Sequence, residues 1–303
     1  MAALFQTEQV LIGQVGKYRI VKQLQKAVWL ARDQAHKDVI VKSVQGHPRV
    51  ANERDVLKIF TPLSKCIRPL LDEIVDPAKP TTIVLSHLQS TLLQSSVRKK
   101  LNRTELKHVC HSVLEALAVI HSKDVKSDNI LVNEESDETN RFTDVQLADM
   151  GNSYPETHEY ALEGQPIGAP MWSSPELISL IYGHDFNIFD PPDVLTDPID
   201  DYKFAVLRRQ VEIFGPFPVK YQEIANEDVM ELIVWMLENL KESRTPFQSI
   251  TDREISQEDK DFISWIMKLD PRDRPTAAAI LSHDWWQGPT GLNGGIESLM
   301  LEV

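Results

Sequence analysis

Two short runs of the chain carry groups that could act on a phosphate. Asp124-Val125-Lys126-Ser127-Asp128-Asn129 comes first, and Asp149-Met150-Gly151 begins twenty residues after Asn129. Phosphoryl transfer needs few groups, but they must be well placed. A carboxylate accepts the hydroxyl proton, a lysine neutralises the γ-phosphate, and an Asn with an Asp holds Mg²⁺ between phosphate oxygens. D-x-K-x-x-N followed by a strand and D-x-G supplies these groups in that order. Either piece alone is common by chance, whereas the ordered pair is not. The plain alternative is a pair of acidic turns flanking a β-hairpin.

Groups so spaced must be held by rigid elements. Residues 18–44 read as strands: YRIVKQL, AVWLARD and DVIVKSV are β-rich and separated by short polar connectors. A helix is expected after Pro48, with Val50, Leu57 and Phe60 near one face. TTIVLSHL (81–88) reads as a buried strand. From Thr104 the apolar spacing becomes helical, through Leu106, Val109, Val113, Leu114, Leu117 and Ile120. ILVN and VQLADM read as two strands around the acidic loop EESDETN. Helices are expected again in DVMELIVWMLENL, DKDFISWIMKL and TAAAILSHDWW, after a stretch from Tyr154 to Pro198 with little periodicity.

In series these pieces resemble the eukaryotic-type protein kinases over nearly the whole chain. Val39-Ile40-Val41-Lys42 resembles the strand whose lysine holds the α- and β-phosphates, and Glu53 resembles its ion-pair partner on the following helix. Gly168-Ala169-Pro170-Met171-Trp172 and Ser174-Pro175-Glu176 resemble the segment that holds the substrate peptide and anchors the activation loop. LDPRDRPTAAAILSHDWW (269–286) is similar to the closing helix of the family's C-lobe, where Arg274 would pair with Glu176.

The resemblance implies an α+β, bilobal protein-kinase-like fold: a small β-rich N-lobe over 16–88, a larger helical C-lobe over 89–287, and extensions at 1–15 and 288–303. It implies ATP and Mg²⁺ as ligands and transfer to a serine or threonine hydroxyl of a protein. Asp124 would be the base, Lys126 the γ-phosphate contact, and Asn129 with Asp149 the metal ligands. Lys42 would clamp the phosphates, and the adenine would sit near Ala31 and Val39 against the backbone of Leu85 to Leu88. Asp149-Met150-Gly151-Asn152 is similar to the D-L-G-N of SR-protein kinases and their fungal relatives, which implies a basic, Arg/Ser-rich substrate.

Three places depart from the family pattern. Only Gln25, Lys26 and Ala27 lie between Leu24 and Val28, where a longer glycine-rich turn would bring backbone N–H groups to the phosphates. HSKDVKSDN lacks the His-Arg-Asp run, leaving Lys123 as the only cation just before Asp124. Ser174-Pro175-Glu176 runs almost directly into LISLIYGHDFNIFDPP, so the head of the central C-lobe helix is missing. Losing about six large buried side chains would forfeit about 10 kcal/mol at about 1.5–3 kcal/mol each, against a total stability of about 5–15 kcal/mol. Family-like sequence lies on both sides of each gap, which for the second and third points to excised blocks rather than gradual drift. A pseudokinase scaffold and an incomplete, alternatively spliced kinase are therefore the alternatives to an active enzyme.

Composition bounds the rest. The 303 residues are 42% apolar and 25% charged, as in an ordinary globular protein. A net charge of −13 argues against a direct nucleic-acid partner and suits a basic one, although an acidic excess often serves only solubility. Cys66 and Cys110 show no paired or zinc-binding spacing, which fits a reducing compartment. No run approaches the roughly 18 apolar residues of a membrane span. A cytoplasmic or nuclear setting is expected. Ser153, Tyr154, Thr157 and Tyr160 lie where activation loops can be phosphorylated, although exposed hydroxyls are common. His283, Trp285 and Trp286 are expected in the core rather than as ligands.

Overall fold

The computed structural model describes residues 4–120, 129–153, 199–240, 246–253 and 255–287. By its contacts the chain forms two units, Met1–Ser95 with His111–Ile167 and Ser96–Cys110 with Gly168–Val303.

Alternating apolar residues build the first unit. Strands β1 (Val10–Gly13), β2 (Lys17–Gln25), β3 (Val28–Arg32), β4 (Asp38–Ser43), β5 (Leu70–Asp76) and β6 (Thr82–Ser86) close into a barrel in the order β1-β2-β3-β4-β6-β5. Successive strand side chains point to opposite faces. One face of the barrel thus collects Phe5, Leu11, Tyr18, Ile20, Trp29, Ala31, Val39, Val41, Ile74 and Val84 as a single buried cluster. Phe5 meets the Trp29 ring edge-on at 5.0 Å. The barrel therefore draws on residues before position 16, which the sequence reading set apart as an extension. Val10–Gly13 pairs with β2 on one side and β5 on the other.

The turn between β1 and β2 wraps around a carboxylate. Asp72, 5% exposed, accepts from the backbone N–H groups of Gln14, Val15 and Gly16 at 3.0–3.3 Å and from the Tyr18 hydroxyl at 2.9 Å. Gly13 permits this approach, because a Cβ there would lie 2.1 Å from Asp72 Oδ2. Burial and the Asp72 carboxylate push the Tyr18 hydroxyl well above the usual phenol range.

Helix α1 (Arg49–Phe60) follows Pro48 as expected and buries Val50, Glu53 and Leu57. Strands β7 (Ser90–Thr91), β8 (Ile130–Glu134) and β9 (Phe142–Leu147) form a second, three-stranded antiparallel sheet. Leu147 ties that sheet to the segment before β5: its N–H donates to Cys66 O at 2.7 Å and its carbonyl accepts from Arg68 N at 2.9 Å.

Helices α2 (Leu92–Arg98) and α3 (Arg103–Ile120) follow β7 in sequence. Along α3 the buried side chains include Val109 and Val113, whereas Leu106, Leu114, Leu117 and Ile120 are only partly covered. The second unit holds α4 (Ile199–Phe214), α5 (Glu227–Asn239), α6 (Gln257–Ile266) and α7 (Ala277–Leu281). Sequence periodicity did not announce α4, a helix of 16 residues. Its Val206 and Ile213 pack with Phe247, Ile255, Ile263 and Met267. Asp259 organises the C-terminal part of this unit. It takes a two-pronged contact from Arg103 at 2.8 and 2.9 Å and the Trp285 indole N–H at 2.7 Å. Phe262 stacks flat on Trp285 with ring centroids 4.3 Å apart, so Trp285 is a core residue.

Candidate active site

Strand β4 aims Lys42 at Glu53 of helix α1. Because Val39 and Val41 fill the barrel cluster, Lys42 and Ile40 must face the other way. Lys42 Nζ forms an ion pair with Glu53 Oε2 at 2.6 Å and donates to Asp149 Oδ1 at 2.8 Å. Glu53 is 1% exposed, and a carboxylate so buried requires a charge partner. The register places Val28 and Leu30 opposite Lys42 and Ile40 on one neighbour, and Ile83 and Leu85 opposite them on the other.

Leu85 thus lies on the Lys42 face, and Leu88 is buried just beyond the end of β6. Ala31 does not join them. It lies inside the barrel with Val39, one residue out of phase with the Lys42 face, and its place there is taken by Leu30. The error is one of strand parity, which moves a side chain to the opposite face.

Asp149 is set by three main-chain ties. Leu147 is fixed as described above, and the N–H of Ala148 donates to the carbonyl of Asn129 at 2.8 Å. The Asn129 main chain, in a residue 5% exposed, therefore lies against Ala148, the residue before Asp149. The backbone of Asp149 is left-handed (φ 62°, ψ 55°) and starts a single 3-10 turn over Met150–Asn152. Asp is one of the few residue types that tolerate this region, at a local cost. Burial would push the Asp149 carboxyl up, but the charges and hydrogen bonds of Lys42 and Arg49 outweigh it and hold it below the usual range.

Helix α1 holds the same turn at further points. Arg49 Nη2 lies 2.5 Å from Asp149 Oδ2, and Asn52 Nδ2 donates to the carbonyls of Gly151 and Ser153 at 2.9 and 3.0 Å. Arg68 adds a third cation. Its Nε donates to Ser86 O at 2.9 Å, and burial pushes its guanidinium down to about 10 against the opposing pull of Glu53 and Asp149. Arg49, Asn52 and Arg68 escaped the sequence reading. One signal was available, since Arg49 precedes Glu53 by four residues and so shares its helix face.

Asp124, Lys126 and Glu176 lie outside the described residues. Arg274 is described, and its Nε donates to Lys268 O at 2.6 Å with Nη2 near Leu269 O at 3.3 Å; its expected partner Glu176 lies outside. The turn expected to cover phosphates is short. Gln25 pairs with Val28, and the Gln23 side chain caps the carbonyls of Gln25 and Lys26. The glycines at 13 and 16 sit in an N–H-rich turn, but Asp72 already fills it.

A carboxylate and a carboxamide offer hard oxygen donors of the kind Mg²⁺ prefers. Asn129 and Asp149 carry donors of that type, and Lys42 carries a cation of the type that meets a polyphosphate. The family described as "Protein kinase domain" matches residues 6–286.

The chain belongs to the protein kinase family. Its α+β fold is the bilobal one of that family, and the relatives it matches are named as serine/threonine-protein kinases. Among similar proteins is the serine/threonine-protein kinase PAK 4 of Mus musculus, 26% identical over 208 residues, or 66% of this chain and 30% of that protein. Another is the serine/threonine-protein kinase dst1 of Dictyostelium discoideum, 27% identical over 204 residues, or 65% of this chain and 23% of that one. The serine/threonine-protein kinase SKY1 of Saccharomyces cerevisiae is 29% identical over 175 residues, or 49% of this chain and 22% of that one. The chain thus spans less than a third of the length of these relatives. No helix among the described residues is long and apolar enough to cross a membrane.

Proposed function

We propose that this kinase binds Mg-ATP and transfers its γ-phosphoryl group to a serine or threonine hydroxyl of a protein. The observation that carries the reading is Lys42 held between Glu53 and Asp149 at 2.6 and 2.8 Å. In this reading Lys42 grips the α- and β-phosphates and Glu53 keeps it aimed. Asn129 and Asp149 hold Mg²⁺, which when bound supplies charge neutralisation at the phosphate oxygens. Asp124 accepts the proton of the attacking hydroxyl, and Lys126 offsets charge at the transferring group. Ile40, Val28, Leu30 and Leu85 offer the apolar face for the adenine, with Leu88 at its edge.

The substrate we propose is basic and Arg/Ser-rich. Two features support it: Asp149-Met150-Gly151-Asn152, similar to the SR-protein-kinase motif, and the net charge of −13, which draws cationic peptides. Both cysteines are free, buried thiols, in keeping with a cytoplasmic or nuclear setting.

A scaffold that binds without turnover is the second reading. It is favoured by the glycine-free turn at Lys26-Ala27, which has few backbone donors to offer a γ-phosphate.

The test is a thermal melt of the full chain with and without Mg-ATP, followed by phosphotransfer to Arg/Ser peptides. A ligand that binds only the native state raises the midpoint in proportion to RT ln(1 + [L]/Kd). A shift lost in Asp149→Ala, together with labelled peptide, supports the kinase. A shift without labelling supports the scaffold. A sharp melt that ignores ATP refutes the nucleotide site.

A further inference from the structure

We infer that Arg49 sets the divalent-metal requirement of this site by occupying the Asp149 oxygen that the metal must take. The inference rests on the nucleotide reading above and adds a residue that phosphoryl transfer does not itself demand.

Both oxygens of Asp149 are engaged. Oδ1 accepts from Lys42 at 2.8 Å, and Oδ2 faces Arg49 Nη2 at 2.5 Å. Charge-assisted contacts of this kind neutralise a carboxylate locally. An incoming dication would meet two resident cations, with Arg68 close enough to feel the same carboxylate. Like charges this close oppose one another strongly where water is scarce. One resident cation must therefore withdraw when the metal binds.

The surroundings decide which one. Lys42 has a second anchor in Glu53, and its side chain is only 14% exposed. Arg49 has no such tether. Its side chain is 37% exposed, Asp149 is its ion-pair partner, and its buried Nε has no hydrogen-bond partner. The guanidinium can swing into water from the first turn of α1 without disturbing that helix. Gly151 makes the resting position possible, since a Cβ there would lie 2.5 Å from Arg49 Cγ and 2.9 Å from its Nε. Arg49 is thus a positioning residue, a latch from α1 onto the metal ligand that Mg²⁺ displaces.

The experiment is a Mg²⁺ titration of the thermal shift at saturating ATP, on the full chain and on Arg49→Gln and Gly151→Ala. Arg49→Gln removes the charge, whereas Gly151→Ala keeps it and displaces the stem. Both are expected to lower the half-maximal Mg²⁺ concentration by about tenfold, the effect of relieving one close cation. Hydrogen exchange at Met150–Asn152 without metal or nucleotide should quicken in Arg49→Gln. That second readout stands even if Gly151→Ala loses its cooperative melt. An unchanged midpoint in Arg49→Gln, a change confined to Arg49→Gln in a folded pair, or unchanged exchange overturns the inference. A wild-type melt that ignores ATP at every Mg²⁺ concentration refutes the nucleotide reading, and the inference falls with it. A normal wild-type shift with unmoved variants refutes the latch alone.

Discussion

Lys42 Nζ lies 2.6 Å from Glu53 Oε2, joining strand β4 to helix α1 through a carboxylate that is 1% exposed. Removing Lys42 leaves a buried carboxylate without its charge partner, and removing Glu53 leaves Lys42 held by Asp149 alone. Glu53→Gln should therefore weaken ATP binding about tenfold, by freeing Lys42 to follow Asp149, and cost about 1–3 kcal/mol of stability. An ATP titration followed by thermal shift checks the first effect, and urea unfolding the second. Unaltered ATP affinity in Glu53→Gln would mean that the ion pair does not aim the lysine.

Asp72 gathers three consecutive backbone N–H groups and a tyrosine hydroxyl. In Asp72→Ala these donors lose their acceptor, so a loss of about 3 kcal/mol is expected in chemical denaturation. Gly13→Ala should be similarly harmful, because its methyl would meet Asp72 Oδ2 at 2.1 Å.

In the second unit, Asp259 is shared by Arg103 and the Trp285 indole. Asp259→Ala strands a guanidinium whose side chain is only 10% exposed, and about 3–5 kcal/mol should be lost. Differential scanning calorimetry would reveal this as a lowered midpoint. Trp285→Phe, which keeps a ring on Phe262 and gives up one hydrogen bond, should cost less than Asp259→Ala.

Cys66 donates to Glu115 Oε2 at 3.1 Å, and burial together with that carboxylate pushes its thiol up to about 11. A raised thiol pKa favours the protonated form in the native state. Its contribution is complete below the unfolded value of about 8.5 and fades as pH climbs towards the folded one. Wild type should therefore lose stability faster than Cys66→Ser between about pH 8.5 and 11. Parallel stability curves for the two proteins would rule this out.

The strands within 18–44, the strand near 81–88 and the segment from β8 to Asp149 could be read from residue type and spacing, because each depends on local alternation or a short motif, whereas Lys42 and Glu53 came from the family resemblance. Ala31 shows where that reading stops. Both faces of β4 are apolar at Val39, Ile40 and Val41, so hydrophobicity alone could not say which face met the cleft, and only the barrel cluster decides it. Helix α4 was missed because Arg208, Arg209 and Glu212 interrupt its apolar positions. These charges pair with one another along the helix, Arg208 and Arg209 both reaching Glu212. Beyond the four-residue spacing of Arg49 to Glu53, nothing local marked Arg49 and Asn52 as site residues, because their partners lie about a hundred positions away. Long-range contacts of that kind are set by the fold, not by neighbours in sequence.

Strand β1 has one more consequence. A sheet that ends in an unpaired strand exposes a row of N–H and C=O groups on which another chain can build. Because Val10–Gly13 bonds to β2 and β5 at once, the six-stranded barrel has no such border. Trimming these four residues would expose two seams together, along Lys17–Arg19 and Ile74–Asp76. The shortened protein should then self-associate through added strands, a hazard that the intact barrel forestalls by closing on itself.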